Sequence, residues 1–284
     1  MSDLDLIKEL REKTGAGFLD CKNTLKENNN NIEESIDSLR KKGLAKASKK
    51  SSREAKEGAV GFFSNDKISI ILKINSETDF SAKSDTFLDF LDLIGKIALK
   101  QNDKSLNLEN FLNIKYNDKS ISDLLKEMIA KIGENLIIND LKIFSNKELN
   151  VNFYIHNPYR KNIGKIVSAI FFYSDTKNEE ITTFSKNICM HIAASKPEAM
   201  DIDQLSSTVI ENEKKIQQEM IQDSGKPSNV MEKILEGKMK KYYSEVTLLN
   251  QNFVIDPDKT IKEAINDFNS LNKFDLKSYA LISL

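Results

Sequence analysis

The chain has 284 residues, of which 39% are apolar and 30% charged, and its net charge is −1. That length suits two or more domains with ample core material, and the near-zero charge gives no global pull toward nucleic acid or an anionic membrane. No apolar run reaches the roughly 20 residues that span a bilayer, and the lone Cys21 and Cys189 set no disulfide framework and suit a reducing compartment.

The first residues, Met1-Ser2-Asp3-Leu4-Asp5, resemble neither a signal nor a transit peptide. Residues 1 to about 42 read as three short helices. Leu4, Ile7 and Leu10 share a face of the first, Thr14-Gly15-Ala16-Gly17 breaks it, and Cys21 and Leu25 recur at i, i+4 in the second. Asn31 followed by Glu34 marks the start of the third, with Ile32, Ile36 and Leu39 as its stripe. A core this small (Leu10, Leu25, Ile36, Leu39) describes a binding module before an enzyme. Phe18 and Leu19 are adjacent at a helix start and cannot both face inward. They either offer an exposed group to a partner or cover the rim of the core. Residues 40–56 carry eight basic residues against one acid, Glu54. They read as a solvated linker helix in preference to a phosphate-binding or acid-binding surface.

From Gly58 the pattern changes. Strand-like runs at 59–63 and 67–74 flank the turn Ser64-Asn65-Asp66. Ser76-Glu77-Thr78-Asp79-Phe80-Ser81-Ala82-Lys83 then connects this second strand to a helix after Thr86, whose Phe87, Leu91, Ile94 and Ala98 fall on one face. An acid and a bare phenylalanine in such a connection suit a wedge aimed at a partner. The local sequence alone favours the plainer reading, with Phe80 folded under the helix and Asp79 as its cap. A helix over 121–132 ends near Gly133, and Lys131-Ile132-Gly133-Glu134-Asn135 leads into a strand over 136–144. A similar plan recurs: a strand through Val151, Phe153 and Ile155, a connection from His156 to Asn162, a strand over 166–173 and a helix over 184–194. After Pro197, amphipathic helices around Ser224-Gly225-Lys226-Pro227 form a helical hairpin at about 199–236. Tyr279 to Ile282 closes the chain as a strand. The fold class is therefore α+β. It comprises a three-helix module at 1–55, a subdomain at 56–140 and a subdomain at 141–284 that carries the hairpin, the two subdomains being related and built on small antiparallel sheets.

There is no paired-cysteine or HExxH spacing, no P-loop, no dinucleotide fingerprint and no nucleophile elbow. No metal, cofactor or catalytic residue is assigned. His191, on an apolar helical face, reads as core, and His156 has the better claim to a surface role.

The ordered segments resemble the translation elongation factor Ts family, the guanine-nucleotide exchange factors of elongation factor Tu. They are 8–22 (Lys8-Glu9-Leu10-Arg11 through Cys21-Lys22), Glu77 to Lys83, Ile132-Gly133-Glu134-Asn135 and 191–198 (His191-Ile192-Ala193-Ala194 onward). Ser224-Gly225-Lys226-Pro227, Glu236 to Lys241 and Phe253 to Thr260 follow in the same order. Together they span nearly the whole chain. The resemblance implies a ubiquitin-associated-like module whose Arg11, Phe18 and Leu19 contact the GTPase domain of Tu. It implies a magnesium-dislodging segment, Thr78, Asp79, Phe80 and Ser81, with Phe80 as the wedge. Ile132, Gly133 and His156 would press on the partner's phosphate-binding region, and the hairpin would serve as a coiled coil able to pair two copies. Such a factor makes and breaks no covalent bond and is not an enzyme in that sense. Elongation factor Tu is the expected partner, with no membrane and no direct nucleic-acid contact, and a bacterial-type cytoplasm is favoured over an organelle matrix. Ser81 stands where the family usually has an aliphatic residue. The residues after His156 are bulkier than the small ones common there. A C-terminal helix carried by some longer relatives is expected to be absent. Two other readings stay open: an adaptor that binds without altering nucleotide release, and an RNA-binding protein using 40–56, which would show steep salt dependence.

Overall fold

The computed structural model describes residues 3–176, 178–222 and 227–284. The chain divides into two compact units. One comprises Met1–Lys147, Asn157–Ile166 and Ile282–Leu284, the other Glu148–His156 and Val167–Leu281.

The first unit begins with helices α1 (Asp3–Thr14), α2 (Phe18–Glu27) and α3 (Ile32–Lys50). Ile7, Leu10, Cys21 and Leu25 form their buried core, with Leu6, Ala16, Ile32, Ile36 and Leu39 packed on it. Leu4 does not share that face, being 59% exposed. Three residues advance a helix by about 300°, so the series Leu10, Ile7, Leu4 slips by about 60° at each step, and Leu6 takes the place Leu4 was expected to fill. Asn31 Oδ1 accepts the Glu34 N–H at 3.3 Å, capping α3 as its sequence predicts. The basic stretch is more than a solvated linker: Arg40 Nε lies 2.8 Å from Glu127, and Lys42 pairs with Glu27.

Strands β1 (Glu57–Ser64) and β2 (Ile68–Ser76) form the expected antiparallel hairpin. Asn65 Oδ1 closes its turn by accepting the N–H groups of Lys67 and Ile68 at 2.8 and 2.9 Å. The connection that follows is itself a helical turn, α4 (Asp79–Lys83), before α5 (Asp85–Gln101). Phe87, Leu91, Ile94 and Ala98 are all buried beneath α5, on the side facing β1 and β2. Gly95 lets α5 approach closely, because a Cβ there would stand 2.1 Å from the Phe63 ring. A short helix α6 (Leu108–Leu112) and the pair β3 (Lys115–Tyr116) and β4 (Lys119–Ser120) lead to α7 (Ile121–Ile132) and then β5 (Leu136–Ser145). β5 runs antiparallel to β2, with Ser76 opposite Leu136.

β6 (Asn150–Arg160) and β7 (Ile163–Tyr173) leave only Lys161-Asn162 between them. The expected connection from His156 to Asn162 is thus mostly strand. Asn157 takes a left-handed φ of 49°, which absorbs the kink while extended structure continues. Arg160 then anchors the strand end to Asp89 at 2.7 Å and Asp85 at 3.1 Å. The start of β7 pairs with β1 through Gly164 and Ile163.

In the second unit β7 pairs with β6 on one side and β10 (Asp275–Ser283) on the other. The elements before β10 are α8 (Glu179–Ser195), α9 (Ser207–Gln222), α10 (Ser228–Val246), β8 (Asn252–Phe253), β9 (Asp256–Thr260) and α11 (Ile261–Phe268). The two helices of the expected hairpin therefore lie at 207–222 and 228–246, where about 199–236 was expected. Asp201 caps a 3-10 turn at Ile202–Gln204, which spends the first residues. α10 runs on because Met239 is buried along it. Of the expected breaker, Ser224-Gly225-Lys226 lies outside the described residues, and Pro227 stands at the N-cap position of α10 without a side-chain cap bond. The core gathers Phe172, Ile188, Ile192, Leu248, Phe253, Ile261 and Phe274. Cys21 and Cys189 are both buried and free. His191 is the satisfied core residue its sequence suggested. Its Nδ1 accepts the Val254 N–H at 3.3 Å, which leaves Nε2 to carry the proton toward Gln251 Oε1 at 2.9 Å. Burial holds its pKa below the usual histidine value.

Candidate functional site

Thr78 ends the extended chain that leaves β2 and caps α4. Its Oγ1 accepts the Ser81 N–H at 3.2 Å, and the residue keeps an extended φ of −126°. The cap fixes the direction of the first turn, and on that turn Phe80 is 85% exposed. Phe80 therefore does not fold under α5, and the cap of α5 is Ser84, whose Oγ accepts the Phe87 N–H at 3.3 Å, not Asp79. Asp79 instead pairs with Lys83 at 2.7 Å, one turn along. The hydrogen bond from Lys83 holds the Asp79 carboxyl below its usual range, and Asp79 in turn raises Lys83. Both are solvent-exposed, so water and salt screen the pair and leave Asp79 available to another donor.

Ser81 and Ala82 point the other way and are buried. Ser81 Oγ has no hydrogen-bond partner. A small apolar side chain here would bury no hydroxyl without a partner. Ser81→Ala removes a buried group that lost its water on folding, so the urea midpoint is expected to rise, by about 1 kcal/mol of stability. A fall in the midpoint would show that the hydroxyl is satisfied.

Two carboxylates, neither of them assigned a role from sequence, secure this turn. Glu134 Oε2 accepts the Thr78 N–H at 3.0 Å and its Oε1 accepts the Thr78 hydroxyl at 2.7 Å. Glu77 Oε1 accepts the Asn135 N–H at 2.6 Å, and Glu77 Oε2 faces Arg53 at 3.5 Å. The segments 77–80 and 132–135, read separately in the sequence, are thus one structure. Their relation is made by the pairing of β2 with β5, which the sequence alone does not display.

Ile132 is half-buried against the core and ends α7. Gly133 is exposed and closes the helix with a φ of 87° while its N–H bonds Ile129 O. Lys50 donates to the Gly133 carbonyl. A Cβ at Gly133 would meet only Lys50 Nζ, at 3.8 Å. Gly133→Ala is therefore expected to cost about 1 kcal/mol through the left-handed backbone alone. Chemical denaturation measures this, and a cost near zero would show that the helix end relaxes.

Arg11 is exposed near the end of α1. Phe18 and Leu19 are 44% and 68% exposed at the start of α2, so both are open to solvent. The turn between these helices lies near α7, since a Cβ on Gly15 would stand 3.1 Å from the Lys131 side chain. His156 is exposed on β6 in the second unit, with Tyr154 Oη 3.3 Å from its Nδ1. Among the described residues no cluster of His, Cys, Asp or Glu is placed to hold a metal ion, and no helix is long and apolar enough to cross a membrane.

Phe80 thus stands exposed on a turn that Thr78 caps and Glu134 holds, and Phe18 and Leu19 stand exposed at the start of α2. The family described as "Elongation factor TS" matches residues 77–283. A protein named elongation factor Ts from Allorhizobium ampelinum is 39% identical over 92% of this chain and 85% of its own length, and one from Rhizobium etli is 40% identical over the same shares. The chain belongs to the elongation factor Ts family, factors of translation elongation in protein biosynthesis.

Proposed function

We propose that this chain exchanges guanine nucleotide on elongation factor Tu by binding Tu–GDP, dislodging its magnesium and releasing GDP. The observation that carries this reading is Phe80, a large apolar side chain 85% exposed on a turn capped by Thr78 and held by Glu134. Removing such a ring from water between two helices of a partner is worth about 1.5–3 kcal/mol, and a rigid turn loses little freedom on insertion. Magnesium demands near-ideal octahedral geometry, so a small shift of its ligands weakens it. Its departure strips neutralising charge from the diphosphate. Asp79, restrained only by a screened pair, is suited to accept from the displaced helix.

In this reading the module at 1–55 docks on the GTPase domain through Arg11, Phe18 and Leu19. Ile132 and Gly133 of the subdomain at 56–140, and His156 of that at 141–284, press on the phosphate-binding region. The helical hairpin offers a surface for a second copy. The work is done by binding alone: the factor weakens nucleotide to the degree that nucleotide weakens the factor. The test is release of fluorescent GDP from purified Tu. Acceleration at substoichiometric amounts of this protein supports exchange, and binding to Tu with no acceleration would make it an adaptor.

A further inference from the structure

We infer that Glu134 and Glu77 are positioning residues that lock the turn carrying Phe80 to the end of α7, so that the partner meets both segments as one rigid edge. The inference deepens the proposed exchange activity and rests on it. Ser76, the last residue of β2, pairs with Leu136, the first of β5, so 77–78 and 134–135 adjoin the same end of the paired strands. Across that gap each segment lends a carboxylate to the other's backbone. Glu134 takes the Thr78 N–H at 3.0 Å, and Glu77 takes the Asn135 N–H at 2.6 Å.

The Thr78 hydroxyl extends the lock into α4. Its single proton goes to Glu134 Oε1 at 2.7 Å, which turns a lone pair toward the Ser81 N–H at 3.2 Å. Glu134 thereby orients the cap on which the direction of Phe80 depends. On the other side, Asn135 Nδ2 donates to Arg53 O at 2.7 Å, tying in the stretch that follows α3. Carboxylates suit these positions because they only accept. Glu134 receives two donors on two oxygens, and a glutamine would set its own N–H₂ against one of them. Both side chains are largely engaged internally and are not spare surface charge.

The test is a double-mutant cycle on GDP release from Tu, with free-protein amide exchange as an independent readout. Glu134→Ala is expected to lower the maximal rate at saturating factor by about tenfold, and Glu134→Gln less. In a Phe80→Ala background Glu134→Ala is expected to change that rate by less than about twofold, because its effect runs through Phe80. Equal proportional losses in both backgrounds would overturn the inference and leave Glu134 a general stabiliser. In the free protein, Glu134→Ala should speed hydrogen exchange at the amides of Thr78, Ser81 and Asn135. Unchanged exchange at all three would overturn the lock. If Glu134→Ala fails to fold, Glu134→Gln carries the same comparisons. If the unmodified protein does not accelerate GDP release, the exchange reading fails by itself, and the amide rates alone decide whether the lock exists.

Discussion

Phe80→Ala is expected to lower the maximal rate of GDP release from elongation factor Tu by between about tenfold and about a hundredfold. That range is the burial energy of one phenylalanine side chain converted to a rate. The ring is 85% exposed in the free protein, so its removal leaves no cavity, and the urea midpoint should move by no more than about 0.5 kcal/mol. The two readouts together are what distinguish a wedge from a core residue. Affinity for nucleotide-free Tu should weaken as well, since the ring would be buried there. An unchanged rate at saturating factor would remove Phe80 from the mechanism, whatever its exposure. Phe80→Leu, which keeps much of the apolar volume, should recover part of the lost rate.

Phe274→Ala has the opposite signature, a large loss of stability. Phe274 is fully buried, stacks on Phe172 at 4.6 Å between ring centroids, and meets Phe184 edge-on at 5.2 Å and Phe268 at 6.0 Å. Its N–H is taken by Asn269 Oδ1 at 2.7 Å, which fixes the turn from α11 into β10. Truncation would open a cavity at the centre of an aromatic cluster and is expected to cost about 3–5 kcal/mol. Chemical denaturation checks this, and hydrogen exchange should show the opening concentrated in the second compact unit. A loss below about 1 kcal/mol would mean that the cluster collapses to fill the space.

Much of the fold was legible because periodicity reports burial. The α5 stripe of Phe87, Leu91, Ile94 and Ala98 is wholly buried, and the β1–β2 hairpin falls where its turn residues put it. Periodicity failed where a local device intervened. Left-handed Asn157 carries β6 past a point that reads as loop, and the 3-10 turn capped by Asp201 shifts the start of the helical hairpin. The elements α6, β3, β4, β8 and β9 are too short to print a period. α11 was missed although Thr260 and Glu263 form a capping box there, a signal that spacing alone could have given.

The exposed groups were legible only in part. Adjacency at Phe18 and Leu19 argued that at least one side chain must face out, and both do. Phe80 looked ambiguous because a single apolar residue has no period. Its exposure follows from Ser81 and Ala82 taking the buried side of α4. Glu77 and Glu134 were invisible as a pair, since their relation is made by strand register across 58 and 56 residues of chain.

The most direct test of magnesium displacement is the magnesium concentration that half-suppresses GDP release from Tu. It should be measured for Tu alone, with saturating wild-type protein, and with Phe80→Ala. Because coupling is reciprocal, a factor that dislodges the ion must shift that midpoint upward, and Phe80→Ala must shift it less. A midpoint that is the same with and without the wild-type protein would contradict displacement of magnesium as the route to GDP release.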